Sequence, residues 1–272
     1  MFETSRTYLF RFDRAVIPMA RGDRSRIVLE IAFALAREYG TEITALTIKE
    51  ETREVTWSDK VAVITRAYHE GKENNIKVIP KVRTAKTVKS GILMESNSRG
   101  YDFILMGTFR RSPLSASVFG SIGDYVIKNS QIPTVIFSVN GSRFPYRKIL
   151  VPLSETINTR PAVTFALHLK KALQSEIILA DLRSYDQKRT HGFQQLFENI
   201  AGIVSSFGDN ITVVRPNISN NLNDEVEQLA RSVRPDLIIM GVERNQKGKI
   251  RINSTLKSLV RGSKCDVAVV GR

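Results

Sequence analysis

Apolar residues along this 272-residue chain follow two alternating rhythms. Short unbroken runs such as Phe103-Ile104-Leu105-Met106 have the pattern of β-strands buried on both faces. Longer stretches between them repeat apolar residues at i, i+3, i+4 and i+7, as at Val28, Ile31, Ala32 and Leu35. That spacing makes one buried face of an amphipathic helix. The pattern predicts strands near 14–19, 42–48, 76–82, 102–107 and 133–139, with helices near 25–39, 56–74, 86–99 and 119–130. Strand and helix in regular alternation imply right-handed βαβ units in a parallel sheet covered on both faces.

The whole pattern then starts again. Arg14-Ala15-Val16-Ile17-Pro18 is echoed by Lys148-Ile149-Leu150-Val151-Pro152, 134 residues later. The same offset relates Tyr101–Gly107 to Pro235–Gly241, and the helical stripe above to Ala162, Phe165, Ala166 and Leu169. Three separate segments sharing one offset identify a duplication. Further strands are predicted near 147–152, 175–182, 211–216, 236–241 and 266–270. The expected fold is α/β, with two tandem doubly wound five-stranded parallel sheets, over residues 1–140 and 146–272. Asn140-Gly141-Ser142-Arg143-Phe144-Pro145 breaks both rhythms and is the expected linker.

Composition adds a constraint and removes several function classes. The apolar fraction of 42% supplies a core for each half. No run approaches the roughly 20 apolar residues of a membrane span, and Met1–Asp13 lacks the apolar stretch of a signal peptide, so a soluble cytoplasmic protein is expected. The net charge of +14 favours acidic partners, among them nucleotides, nucleic acid and an anionic membrane face. It divides almost evenly between the halves, which is also the pattern of ordinary solvated surfaces. Cys265 is the sole cysteine, and His69, His168 and His191 lack metal-ligand spacing. His168 falls in a helical pattern, where partly buried packing is expected. No nucleophile–base pair, carboxylate pair or Gly-Lys-[Ser/Thr] phosphate loop is present, and no enzyme is expected. Basic residues are not interleaved with aromatics, so nucleic acid is an unlikely partner.

In an open α/β sheet, ligands bind beyond the carboxyl ends of the strands. The loops after Pro18, Thr47 and Gly107 are therefore the candidate positions. The last runs from Gly107 to Gly120-Ser121, where a helix begins. Glycine lets backbone approach an anion, free amides at the helix start point towards it, and a serine hydroxyl adds a donor. An ordinary helix cap at Ser121 explains the same residues without a ligand.

Both repeats resemble universal stress protein domains, with their five-stranded fold related to the adenine nucleotide alpha hydrolases. ATP-binding members of that family carry G-x2-G-x9-G-[ST] after the fourth strand. Here Gly107, Arg110, Gly120 and Ser121 hold that spacing, with arginine in place of the second glycine. The second repeat has Gly241, Arg244, Asn253 and Ser254, one residue shorter and lacking both later glycines. The family's aspartate beyond the first strand is replaced by Ala20 and Ser154, and Asp181, at the end of the second strand of the second repeat, is a further candidate contact. Arg110 either grips a phosphate or fills the space where one would lie.

The resemblance implies a regulatory module that senses ATP or another adenine nucleotide, with Mg2+, through the first repeat. The implied contacts are Pro18, Met19, Ala20, Thr47, Met106, Gly107, Arg110, Gly120, Ser121 and Ile122, and the second site is degenerate. It equally implies a nucleotide-free interaction module, such as the cytosolic part of an amino-acid permease or cation antiporter, with Met1–Arg11 as a lead-in from the membrane. The fifth strands, Thr134–Val139 and Asp266–Val270, are expected to pair as an intrachain pseudo-dimer, with a homodimer of such chains as a further expectation.

Overall fold

The computed structural model describes residues 10–20, 23–51, 57–98, 100–109, 117–141, 143–154, 159–182, 207–215, 222–244, 250–251 and 254–271. The first half runs β1 (Arg14–Pro18), α1 (Asp23–Tyr39), β2 (Glu42–Glu50), α2 (Trp57–Glu73), β3 (Val78–Ala85), α3 (Val88–Ser96), β4 (Phe103–Phe109), α4 (Gly120–Asn129) and β5 (Thr134–Val139). The second half runs β6 (Lys148–Leu153), α5 (Thr159–Leu173), β7 (Glu176–Asp181), β8 (Ile211–Val214), α6 (Leu222–Val233), β9 (Leu237–Arg244), β10 (Ile250–Arg251), α7 (Ser254–Gly262) and β11 (Asp266–Gly271).

Strand order is β3-β2-β1-β4-β5 in the first half and β8-β7-β6-β9-β11 in the second. All pairs within these halves are parallel, except for the short β10, which pairs antiparallel to the end of β9. The two halves fuse into one sheet where β5 and β11 pair antiparallel, from Val267 opposite Ser138 to Gly271 opposite Thr134. All six residues of each of these strands are buried. Pairing them conceals two apolar edges that would otherwise invite aggregation, so the expected intrachain pseudo-dimer is present.

Two residues show that the duplication extends to hydrogen bonds. Asp102 accepts from the backbone N–H of Arg14 at 2.8 Å, tying the start of β4 to that of β1. Asp236, 134 positions on, accepts from the N–H groups of Arg147 and Lys148 at 2.8 and 3.0 Å. Replacing either aspartate by alanine strands amides at a strand entrance and is expected to cost about 1 kcal/mol. Urea unfolding of both variants checks this, with similar losses as the expected result.

The element boundaries depart from expectation in places with identifiable causes. Strand β3 begins at Val78 rather than 76, because Ile76 N–H bonds back to the Gly71 carbonyl at 2.8 Å and Asn75 turns with φ +56°. Pro80 is exposed in β3, which is tolerated because β3 is an outer edge of the sheet.

The sheet separates two apolar layers. One face carries α1, α2 and α5, with Phe103, Phe137, Tyr146 and Phe165 fully buried. The other carries α3, α4, α6 and α7. Phe10 is buried and Phe12 lies 4.5 Å from the His168 ring, so the end of the Met1–Arg11 lead-in packs into the core; residues 1–9 lie outside the described residues. His168 packs among Phe12, Tyr39 and Phe207 between α1 and α5, the packing position its helical pattern predicts. Among the described residues, no helix is long and apolar enough to cross a membrane.

Candidate functional site

The carboxyl ends of β1 and β4 meet the start of α4 in a cleft of about 140 Å³. Strand β1 ends at half-buried Pro18, and the Met19 N–H still donates across to the Leu46 carbonyl of β2 at 2.7 Å. Ala20 is exposed at the mouth. From β4 come Met106, Gly107 and Thr108, and the Thr108 hydroxyl donates to the Phe119 carbonyl at 3.1 Å.

Helix α4 starts abruptly. Gly120 takes φ +83°, a conformation that side chains resist and glycine adopts freely. The cap residue is Phe119, with no side-chain hydrogen bond at the cap, so the expected cap at Ser121 is displaced into the first helical turn. Asp124 performs the capping instead: its two oxygens accept from Val118 N–H at 3.1 Å and Phe119 N–H at 2.8 Å. By helix geometry the amides of Gly120, Ser121 and Ile122 lack intrahelical acceptors. They border the cleft. Gly123 is also required there, since a Cβ would stand 2.7 Å from Phe119 Cβ.

The opposite wall is α3, through Val88 and Ile92. Reciprocal bonds between Thr87 and Ser90 fix its start. Gly91 lets it close on β2, where a Cβ would meet Ile48 Cγ2 at 2.7 Å. Further along, fully buried Glu95 lies 2.6 Å from Lys81 Nζ and 3.5 Å from Arg83 Nε, and accepts from the Tyr101 hydroxyl at 2.8 Å. Burial opposes its charge, but the hydrogen bonds from Lys81 and Tyr101 and the two cations outweigh it and hold the carboxyl below its ordinary range. Lys89 lies 4.7 Å from the Tyr125 ring centre and bridges α3 to α4.

Eight of the ten expected contacts therefore line one cleft: Pro18, Met19, Ala20, Met106, Gly107, Gly120, Ser121 and Ile122. Thr47 does not. It is buried in β2, in register with Val82, and alternates with Leu46 and Ile48, which face the α3–α4 layer. Arg110 lies outside the described residues. Thr108, Asp124 and the α3 wall were missed. An acid four residues after Gly120 is the one sequence signal by which Asp124 could have been found.

In the second half Ser154 is buried and Asp181 lies 3.2 Å from Arg215 Nε, so Asp181 is committed to an ion pair. Asn253 lies outside the described residues, as do the side chains of Arg244 and Ser254. No group of residues able to hold a metal ion occurs among the described residues.

Comparison with known proteins agrees with this architecture. The model of the universal stress protein family matches residues 11–138 and 208–271. A universal stress protein from Archaeoglobus fulgidus DSM 4304 superposes with a TM-score of 0.63 at 18% identity, covering 96% of this chain and 98% of its own. A functionally unknown protein from Pseudomonas aeruginosa PAO1 gives 0.64 at 12% identity, covering 95% and 92%. The cytoplasmic domain of a prokaryotic cation chloride cotransporter gives 0.57 at 11%, covering 95% of each chain. At these identities the likeness is one of fold. No curated protein sequence matches the chain.

Proposed function

Because the chain belongs to the universal stress protein family, we propose that it acts as a binding module rather than an enzyme, taking an adenine nucleotide in the first half beside a degenerate site in the second. The observation that best supports this reading is the convergence at one cleft of Gly107, Met19, Ala20 and the amides of Gly120, Ser121 and Ile122. Those amides, together with the positive end of α4, suit a phosphate. The Ser121 hydroxyl is exposed beside them. Among the described residues the cleft lining has no carboxylate, so Mg2+ would be held through phosphate oxygens.

A second reading has a specific observation behind it. The cleft volume of about 140 Å³ is below the roughly 300–1,000 Å³ of ordinary small-molecule pockets. Asp124 also occupies two amides near the phosphate position. Both features favour a nucleotide-free interaction module whose partner is a protein or a membrane transporter. The fold shared with a transporter's cytoplasmic domain and the +14 charge suit that role at an anionic inner membrane face. With β5 and β11 already paired within the chain, a homodimer would have to use an outer edge, β3 or β8, or a helical face.

Calorimetric titration with ATP, AMP and cyclic dinucleotides in the presence of Mg2+ separates the two readings. Saturable micromolar binding is expected, weakened by Ser121→Ala. Ala20→Asp supplies the missing polar partner at the mouth and is expected to tighten binding roughly tenfold. Absence of heat with every nucleotide, for the parent chain and for Ala20→Asp alike, overturns the nucleotide reading and leaves the interaction module.

A further inference from the structure

A second, larger cavity of about 540 Å³ lies at the other end of the second half's strands, between the carboxyl ends of α6 and α7. Its volume falls within the roughly 300–1,000 Å³ of small-molecule sites. Ala230, Pro235 and Leu259 give it apolar walls, and Arg231, Arg234 and Lys264 line it as well. The acid among the lining residues, Glu227, is already engaged: Arg231 Nη2 stands 3.5 Å away and the Ser258 hydroxyl donates to it at 3.0 Å. Arg234 and Lys264 are exposed and have no carboxylate partner among the described residues.

The duplication supplies an internal control. At the 134-residue offset Arg231 and Arg234 correspond to Asn97 and Gly100, and beyond the one-residue-shorter loop, at an offset of 133, Lys264 corresponds to Gln131, so the first half carries no cation at any of the three positions. Arg234 also takes a backbone shape meant for glycine. Gly100 has φ +86°, and Arg234 adopts the same left-handed turn at φ +49°. Glycine is favoured after a helix end because other residues are strained there. A cation completing the helix dipole does not account for this choice, since Lys148 Nζ already reaches the Val233 carbonyl ending α6, at 3.5 Å. Residues held in strained backbone conformations cluster at ligand sites.

We propose that this cavity binds a small amphipathic anion, its apolar body against Ala230, Pro235 and Leu259 and its carboxylate between Arg234 and Lys264. The site is separate from the cleft at α4 and stands whether or not that cleft takes a nucleotide.

Octanoate is the probe, with octylamine as the cationic control, titrated into the full chain by calorimetry. Octanoate is expected to saturate and octylamine not to bind. Arg234→Gly is expected to weaken octanoate about tenfold while raising the melting temperature by roughly 2 °C, because it removes backbone strain. Loss of binding together with gain of stability is a signature that a purely structural arginine would not give. Gly262→Phe is expected to abolish binding by filling the cavity; a Cβ there meets nothing nearer than Glu227 Oε1 at 4.0 Å, so the change leaves the backbone room. Octanoate is also expected to slow thiol modification of Cys265 in the cavity wall. Equal affinity in parent and Gly262→Phe, equal binding of octylamine, or no saturation overturns the proposal.

Discussion

Replacing Asp266 by alanine is expected to destabilise the whole chain by about 3 kcal/mol, because it strands a buried and a partly buried donor at the seam between the halves. Asp266 is fully buried at the start of β11. It accepts from the Asn140 N–H at 2.6 Å and from the Tyr146 hydroxyl at 2.7 Å, holding both ends of the linker against the joined sheet. Burial, reinforced by the Asp266 charge, pushes the Tyr146 hydroxyl far above its ordinary pKa, so it remains a donor throughout the accessible pH range. Two effects oppose each other in the alanine variant. Losing a desolvated carboxylate is favourable, but each donor left without a partner costs about 1–3 kcal/mol. The second wins because the Tyr146 hydroxyl is fully buried and the Asn140 N–H is partly so. Urea unfolding should show a loss near 3 kcal/mol for Asp266→Ala and about 1 for Asp266→Asn, which keeps one acceptor. Combining Asp266→Ala with Tyr146→Phe should cost less than the two separately. A fully additive pair would contradict this account of the seam.

The second large effect is a loss of stability in mild acid through His168. Burial first, and the Lys171 charge second, push its pKa down to about 4 from 6.5. Lys171 is itself paired with Glu38 at 2.7 Å, and the Nδ1 of His168 is buried without a hydrogen-bond partner. The unfolded chain therefore takes up a proton below 6.5, while the folded chain resists until about 4. Stability is fully present above 6.5, falls as the pH drops from 6.5 to 4, and is level below 4 as far as this group is concerned. The total is about 3 kcal/mol. Glu42 and Glu95, whose pKa values are lowered, hold their contributions above the ordinary carboxyl value of 4.5 and lose them below it, so the upper part of the window belongs to histidine. His168→Phe should flatten the pH dependence of unfolding between 6.5 and 4.5. An unchanged profile would show that His168 titrates near its ordinary value.

Much of the fold was legible because strands covered on both faces must be apolar throughout. Phe103–Met106 and Leu237–Met240 could be found, and matched, without knowing their neighbours. The seam was legible through the family resemblance, with the apolar runs Thr134–Val139 and Asp266–Val270, poor candidates for open edges, in support. What escaped notice depends on contacts distant in sequence. Strand β10 is a two-residue pairing with the end of β9 and has no pattern of its own. The cluster of Phe12, Tyr39, Phe165 and His168 joins segments that carry no mark of each other.

The candidate cleft was legible to the extent that backbone chemistry shaped it. Gly107 and Gly120 reveal themselves by residue type, and Pro18 by ending a strand. Thr47 sits at the expected loop position, but strand alternation turns its side chain to the other face, away from the cleft. Asp124 was overlooked because its role depends on the loop folding back over the helix start. The strained Arg234 could not be recognised from composition, where it counted as one more surface charge.

If a phosphate-bearing ligand reaches the start of α4 in the first half, as proposed, amide chemical shifts will report it. On titration with ATP and Mg2+, the amides of Gly120, Ser121 and Ile122 should move together with those of Met19, Ala20 and Gly107, while Ser154 and Gly241 in the second half stay still. No movement at Gly120–Ile122, or movement centred on the second half, would contradict it.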